Sequence, residues 1–326
     1  MVRGQSLAFN PMSATGEVDF AQAMAILSGR ASAAEAVQAE ALLIRAISQR
    51  HASAANRLAL VRALGVTSPP DWEGALDALA SGAEYGDRQC RDQLQLLAAP
   101  DQTPVPDDQD WTALRAQVDL AERLAAPAAA RISESPYLRA HAGIISKAEC
   151  AWLIEAALPR LSAVMVFDQR GGSQARHFDR DNSAICYQIA ELDFLAEVVR
   201  ARISGATRVP VPFFEPPQIL RYQPGQRFKL HADYFDPAID GYRDEIAARG
   251  QRVGTFLIYL NDDYVAGETE FPEAGIKWRG KAGDGLFFAN VDRAGQPDRR
   301  AVHAGLPPNG GDKWIFSQWI RDRVPA

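Results

Sequence analysis

EPPQILRYQPGQRFKLHADYF, residues 215–235, is the stretch on which the reading of this chain turns. Pro224-Gly225 marks a turn between two extended runs. In the second run His231 and Asp233 stand two apart. A strand sends successive side chains to opposite faces, so both project the same way. An imidazole and a carboxylate side by side on one strand form two-thirds of a facial triad for Fe(II). Alone, His-x-Asp is better read as a surface histidine beside an aspartate, and a metal site needs a third ligand from elsewhere.

The chain has five histidines: His51, His141, His177, His231 and His303. His51 falls in an Ala- and Leu-rich region, and His141 and His177 precede the expected sheet. His303 lies in RRAVHAGLPPNGGDKWIFSQWIRD (299–322), before a Gly-Pro-rich turn and a last aromatic strand. Ten residues on stands Lys313. In KWIFSQWI alternation puts Lys313, Ile315, Ser317 and Trp319 on one face. A lysine opening so apolar a strand needs a partner if it is buried. No acidic residue shares its face, so a ligand carboxylate and a side chain that snorkels to solvent are both open readings.

Outward from this core, composition divides the chain. Residues 1–98 are rich in Ala and Leu and read as helices. AISQRHASAANRL (46–58) lines up with GAEYGDRQCRDQL (82–94) at an offset of 36 residues, the period of a helix–turn–helix repeat. The pattern resembles Sel1-like repeats, relatives of the tetratricopeptide class; an irregular bundle that stabilises its neighbour is the alternative. Residues 99–134 read as a linker and a connecting helix, APDQTPVPDDQD (99–110) followed by one helix from Trp111 to Ala126. Residues 135–326 open with two expected helices. SKAECAWLIEAAL begins with Ser146 and has Glu149 three residues later, a capping box. NSAICYQIAELDFLAEVVRARISG is read as one helix stopped by Gly205. The rest is richer in Val, Ile, Phe, Tyr and Trp and reads as strands.

Composition narrows the function. Apolar residues make up 47% and charged residues 23%, the balance of a folded globular protein rather than a disordered one. A net charge of -6 argues against nucleic acid as a partner. No apolar run approaches the ~20 residues that span a bilayer, so no membrane is expected. The first residues lack the apolar core of a signal peptide, and three scattered cysteines suggest reduced thiols. The expected location is cytoplasmic.

The whole constellation resembles the 2-oxoglutarate/Fe(II)-dependent dioxygenases, in their prolyl 4-hydroxylase-like branch. His-x-Asp, the distal His303 and Lys313 follow in that family's order over about residues 135–326. Tyr222, nine residues before His231, stands where the family has a tyrosine at the 2-oxoglutarate carboxylate. RVGTFLIYLND (252–262) is similar to its next core strand, with Thr255 at the cosubstrate-contacting threonine. AGETEFP (266–272), GDGLFFAN (283–290) and Trp319 match further motifs. Phe228 departs from a common tyrosine, and Ala301-Val302 from the usual pair before the distal histidine.

The resemblance implies an α+β chain: a double-stranded β-helix (jelly-roll) catalytic domain with flanking helices, preceded by an all-α helical-repeat domain. It implies His231, Asp233 and His303 as metal ligands and catalytic centre, and Tyr222, Thr255, Lys313 and Trp319 as cosubstrate-binding residues. Fe(II), 2-oxoglutarate and O2 are the implied cofactor and cosubstrates, with ascorbate as reductant. The expected reaction is hydroxylation of a prolyl or similar residue in a peptide or protein, with release of succinate and CO2. Asp233 favours hydroxylation, because a small residue there would leave room for a halide. A hydroxylase of a free amino acid is the first alternative. A catalytically silent scaffold that binds a protein partner through the repeats is the second. The polar segment 234–251 is read as a lid or as a surface insertion.

Overall fold

The computed structural model describes residues 14–29, 31–99, 109–163, 165–168, 173–176 and 181–324. His177 and most of the proline- and aspartate-rich stretch 99–110 lie outside them. Contacts divide the chain into two units, Met1–Arg123 with Leu192–Glu197, and Leu124–Glu191 with Val198–Ala326.

The first unit is helical: α1 (Ala14–Leu27), α2 (Ala33–Ser48), α3 (Ala52–Leu64), α4 (Trp72–Glu84), α5 (Arg88–Ala98), α6 (Trp111–Arg115) and α7 (Leu120–Leu124). Short turns join α2 to α3 and α4 to α5, which forces each pair antiparallel. At the offset of 36, His51 and Asp87 both cap the second helix of a pair, through Ala54 N and Cys90 N. Gly82 is small for a packing reason, since a Cβ there would meet Cys90 and Ala55. The helix expected from Trp111 to Ala126 is two short ones. Asp119 accepts from Glu122 N and starts a second helix rather than continuing the first.

In the second unit, β1 (Ala129–Glu134) and β2 (Tyr137–His141) form a hairpin, so His141 lies on a strand of the sheet rather than before it. The helix α8 (Lys147–Ala157) carries the expected capping box from Ser146 and Glu149. Then come β3 (Ser162–Ala163), β4 (Met165–Asp168), β5 (Ser173–Arg176) and β6 (Ser183–Cys186). The single helix read from Asn182 onward is therefore corrected. Ser183–Cys186 pair with a neighbouring strand, and α9 (Phe194–Thr207) starts only after Asp193 caps Ala196 N. Gly205 lies inside α9, which ends where Arg208 turns left-handed at φ 59°.

The remaining strands are β7 (Gln218–Tyr222), β8 (Phe228–His231), β9 (Arg252–Tyr259), β10 (Val265–Ala266), β11 (Thr269–Phe271), β12 (Ile276–Trp278), β13 (Gly285–Ala289), β14 (His303–Gly305), β15 (Pro308–Asn309) and β16 (Lys313–Arg321). They build an eight-stranded sheet in the order β1-β2-β13-β9-β16-β7-β6-β3 and a four-stranded sheet β12-β11-β14-β8. This is the double-stranded β-helix. Leu220, Leu257, Ile315, Tyr259, Phe271 and Phe288 pack together as its core. After β8 the chain runs into α10 (Asp240–Arg249). That segment is tied down: Gln251 bonds both N and O of Phe235, and Arg321 bonds Glu245 and the Gly250 carbonyl.

Candidate metal centre and cosubstrate cavity

Register brings the three metal-candidate side chains together. His303 on β14 lies directly opposite His231 on β8, and Asp233 follows two residues on. Their ligating atoms all lie within 4.8 Å of one another. Asp233 and His303 are buried, while His231 is partly open.

The tautomers follow from the backbone. His231 Nδ1 lies 2.8 Å from the Lys229 carbonyl, and His303 Nδ1 lies 3.0 Å from the Ala301 carbonyl. A carbonyl only accepts, so each Nδ1 carries the proton and each Nε2 presents a lone pair. Those Nε2 atoms lie 3.7 Å from Asp233 Oδ1 and Oδ2 respectively. Phe228 stacks on the His231 ring with centroids 3.4 Å apart, and Phe288 meets His303 edge-on. Burial pushes the Asp233 carboxyl up. Attraction from His303 and His231 whenever those rings are protonated, together with the bond from Thr255, outweighs it and holds the group below its ordinary range. Two neutral nitrogens and one ionised carboxylate on one side of a cavity fit a divalent first-row metal with open positions.

The cavity beside them is lined by alternate residues of two strands, Gln218, Leu220 and Tyr222 from β7 and Lys313, Ile315, Ser317 and Trp319 from β16, together with Leu257 from β9 and Thr269 from β11. The face expected from alternation is thus the inward one. Lys313 is 2% exposed, directly opposite Tyr222, with its ammonium 5.3 Å from the ring centres of Tyr222 and Tyr259. Among the described residues no carboxylate lies within ion-pair distance of it. Burial lowers its pKa to about 7, against a weaker opposing pull from Glu268. Trp319 sits under the Arg252 guanidinium, 3.5 Å from its ring centre.

Thr255 lies beside the metal-candidate carboxylate. It is not among the cavity-lining residues, and its hydroxyl donates to Asp233 Oδ2 at 2.7 Å. Thr269, not singled out from sequence, lines the cavity instead, with Oγ1 2.8 Å from the Tyr259 hydroxyl. Alternation within AGETEFP would have found it, because Thr269 and Phe271 share the buried face. Arg221, on the same strand as Tyr222 but on its other face, is held by Asp312.

A 2-His-1-carboxylate cluster in the wall of a cavity that a buried cation also lines defines a mononuclear non-haem iron site with room for an anionic cosubstrate. Comparison with known proteins agrees. The profile of the 2OG-Fe(II) oxygenase superfamily matches residues 217–321. Prolyl 4-hydroxylase 1 of Arabidopsis thaliana is 32% identical over 209 residues, which cover 60% of this chain and 72% of that protein. Prolyl 4-hydroxylase 13 of the same plant is 31% identical over 203 residues, covering 55% and 69%. Among solved structures, the 2OG complex of the viral collagen prolyl hydroxylase from Paramecium Bursaria Chlorella virus-1 shows 26% identity and a TM-score of 0.45, covering 58% of this chain and 98% of that one. The chain belongs to the 2OG-Fe(II) oxygenase superfamily and is related within it to the prolyl 4-hydroxylases. It is an oxidoreductase that uses Fe(II) and 2-oxoglutarate. Among the described residues no helix is long and apolar enough to cross a membrane.

Proposed function

We propose that this chain hydroxylates a prolyl residue, or a similar one, in a peptide or protein. The observation that carries the reading is the meeting of His231, Asp233 and His303 in the wall of a cavity that is also lined by the buried Lys313. His231, Asp233 and His303 hold Fe(II) through two Nε2 atoms and a carboxylate oxygen. Lys313 pairs with the carboxylate of 2-oxoglutarate far from the metal, and Tyr222 donates to the same group. Leu220, Leu257 and Ile315 keep water from its methylene chain. Trp319 closes one wall. When bound, Fe(II) supplies the activation of dioxygen that couples oxidative decarboxylation of 2-oxoglutarate to hydroxylation. Ascorbate keeps it reduced.

The peptide substrate rests on the prolyl 4-hydroxylase relatives. The test is a panel of proline-containing peptides and free amino acids with Fe(II), 2-oxoglutarate and ascorbate. It is read as a mass gain of one oxygen with release of succinate. A gain on peptides alone supports the reading, and a gain on a free amino acid alone replaces it with a small-molecule hydroxylase. Buried Cys90 and Cys150, neither of them in a disulfide, support a reducing, cytoplasmic setting. The paired caps at His51 and Asp87 support reading the helical unit as Sel1/tetratricopeptide-like repeats, a surface for a protein partner.

A further inference from the structure

The two Asp233 oxygens each lie 3.7 Å from one ring nitrogen, Oδ1 from His231 and Oδ2 from His303, but they differ in hydrogen bonding. Oδ2 accepts from the Thr255 hydroxyl at 2.7 Å, while among the described residues Oδ1 accepts no hydrogen bond. Thr255 in turn lies 3.0 Å from the side-chain amide of Asn290, the last residue of the GDGLFFAN motif. Proton counting fixes every direction in this chain. The ionised carboxylate can only accept, so Thr255 spends its one proton on Oδ2. Its oxygen must then accept, so Asn290 must turn its NH2 towards Thr255. Thr255 and Asn290 are both 0% exposed. This orientation leaves Asn290 Oδ1 buried with no partner. A buried acceptor without a partner is destabilising, and an apolar residue would pack there without that loss. The side-chain amide makes one hydrogen bond at this position, to Thr255.

We infer that Thr255, oriented by Asn290, is a positioning residue for the metal site. It holds Asp233 Oδ2 off the metal and presents Oδ1 alone, so that the carboxylate takes one coordination position and leaves three open. The inference rests on the proposed iron site. It separates two roles for Thr255, because a residue that touches 2-oxoglutarate alters cosubstrate affinity, and one that aims a ligand alters metal affinity. Partners that orient metal ligands are typically worth about 10–100-fold in metal affinity.

The experiment titrates the full-length apo-protein with Co(II), followed by its visible absorption, and measures the KM for 2-oxoglutarate at saturating Fe(II). Thr255→Val keeps the β-branched shape and loses the hydroxyl. It is expected to weaken Co(II) binding by about tenfold and change its spectrum, with the KM for 2-oxoglutarate within about twofold of wild type. Thr255→Ser should restore both. Asn290→Leu should weaken Co(II) binding less, and adding it to Thr255→Val should cost little more, as expected for two links of one chain. Unchanged Co(II) affinity with a raised KM in Thr255→Val would overturn the inference and return Thr255 to the cosubstrate. If Thr255→Val does not fold, Asn290→Leu decides: wild-type Co(II) affinity and spectrum in that variant overturn it. Failure of wild type itself to bind Co(II) or Fe(II) would instead remove the proposed function.

Discussion

His303 stands directly opposite His231 across the ladder between β14 and β8, although 72 residues separate them in sequence. The pairing makes the metal site a property of strand register. A slip of one residue would turn one imidazole to the other face. His231→Ala should therefore abolish turnover while the fold persists, because the ring is partly open and carries little of the core. Metal content after anaerobic Fe(II) loading should fall to background while the circular dichroism spectrum stays that of wild type.

Lys313 should govern cosubstrate binding without touching the metal. A charge-assisted contact is worth roughly 1.5–3 kcal/mol, and each 1.4 kcal/mol is about tenfold in affinity. Lys313→Ala should raise the KM for 2-oxoglutarate by roughly ten- to a hundredfold, towards the upper end because a carboxylate would be left unpaired. Lys313→Arg should recover part of this. Fe(II) affinity should hardly change. A KM equal to wild type would mean that Lys313 does not meet the carboxylate, and Arg221, held by Asp312, is not available as its substitute.

The same lysine gives cosubstrate binding a pH dependence. Burial sets its pKa at about 7 in the ligand-free protein. Pairing with a carboxylate favours the charged form, so the pKa is higher in the complex. Between the two values binding takes up a proton, and affinity falls as pH rises. The Kd for 2-oxoglutarate at saturating Fe(II) should be flat with respect to this group below about pH 7. Above it, the Kd should rise by up to about tenfold per pH unit. Lys313→Arg should flatten that slope, because a guanidinium keeps its proton.

The helical region should be dispensable for the metal. All three metal-candidate residues and the whole cavity lie within residues 218–319. A chain beginning near residue 127 should bind Fe(II) as the full chain does if it remains soluble. Loss of iron from a well-folded truncated chain would place a ligand or a supporting contact in residues 1–126.

The site was more legible in the sequence than the elements around it. Alternation fixes the inward face of KWIFSQWI, because a strand's period of two leaves no freedom once one residue is assigned. His231 is the last residue of β8, and Asp233 joins it from the bend that follows rather than from the same strand. Apolar content alone points to one helix at 182–205, where Ser183–Cys186 is a strand and the helix starts only at Phe194. Short apolar runs fit either form, and the deciding contact is with β7, distant in sequence. At Trp111–Ala126 the missed feature was local: Asp119 caps a new helix. Thr255 illustrates a different limit. Its motif is plain in the sequence, but whether its hydroxyl meets cosubstrate or Asp233 depends on which strand lies across the barrel.

The central claim is tested most directly by anomalous X-ray diffraction from crystals grown anaerobically with Fe(II) and 2-oxoglutarate. The account predicts one iron peak within ~2.0–2.3 Å of His231 Nε2, Asp233 Oδ1 and His303 Nε2, by analogy with other first-row sites. The distal carboxylate of 2-oxoglutarate should lie at the Lys313 ammonium. An iron peak elsewhere, or His303 turned away from it, would contradict the account.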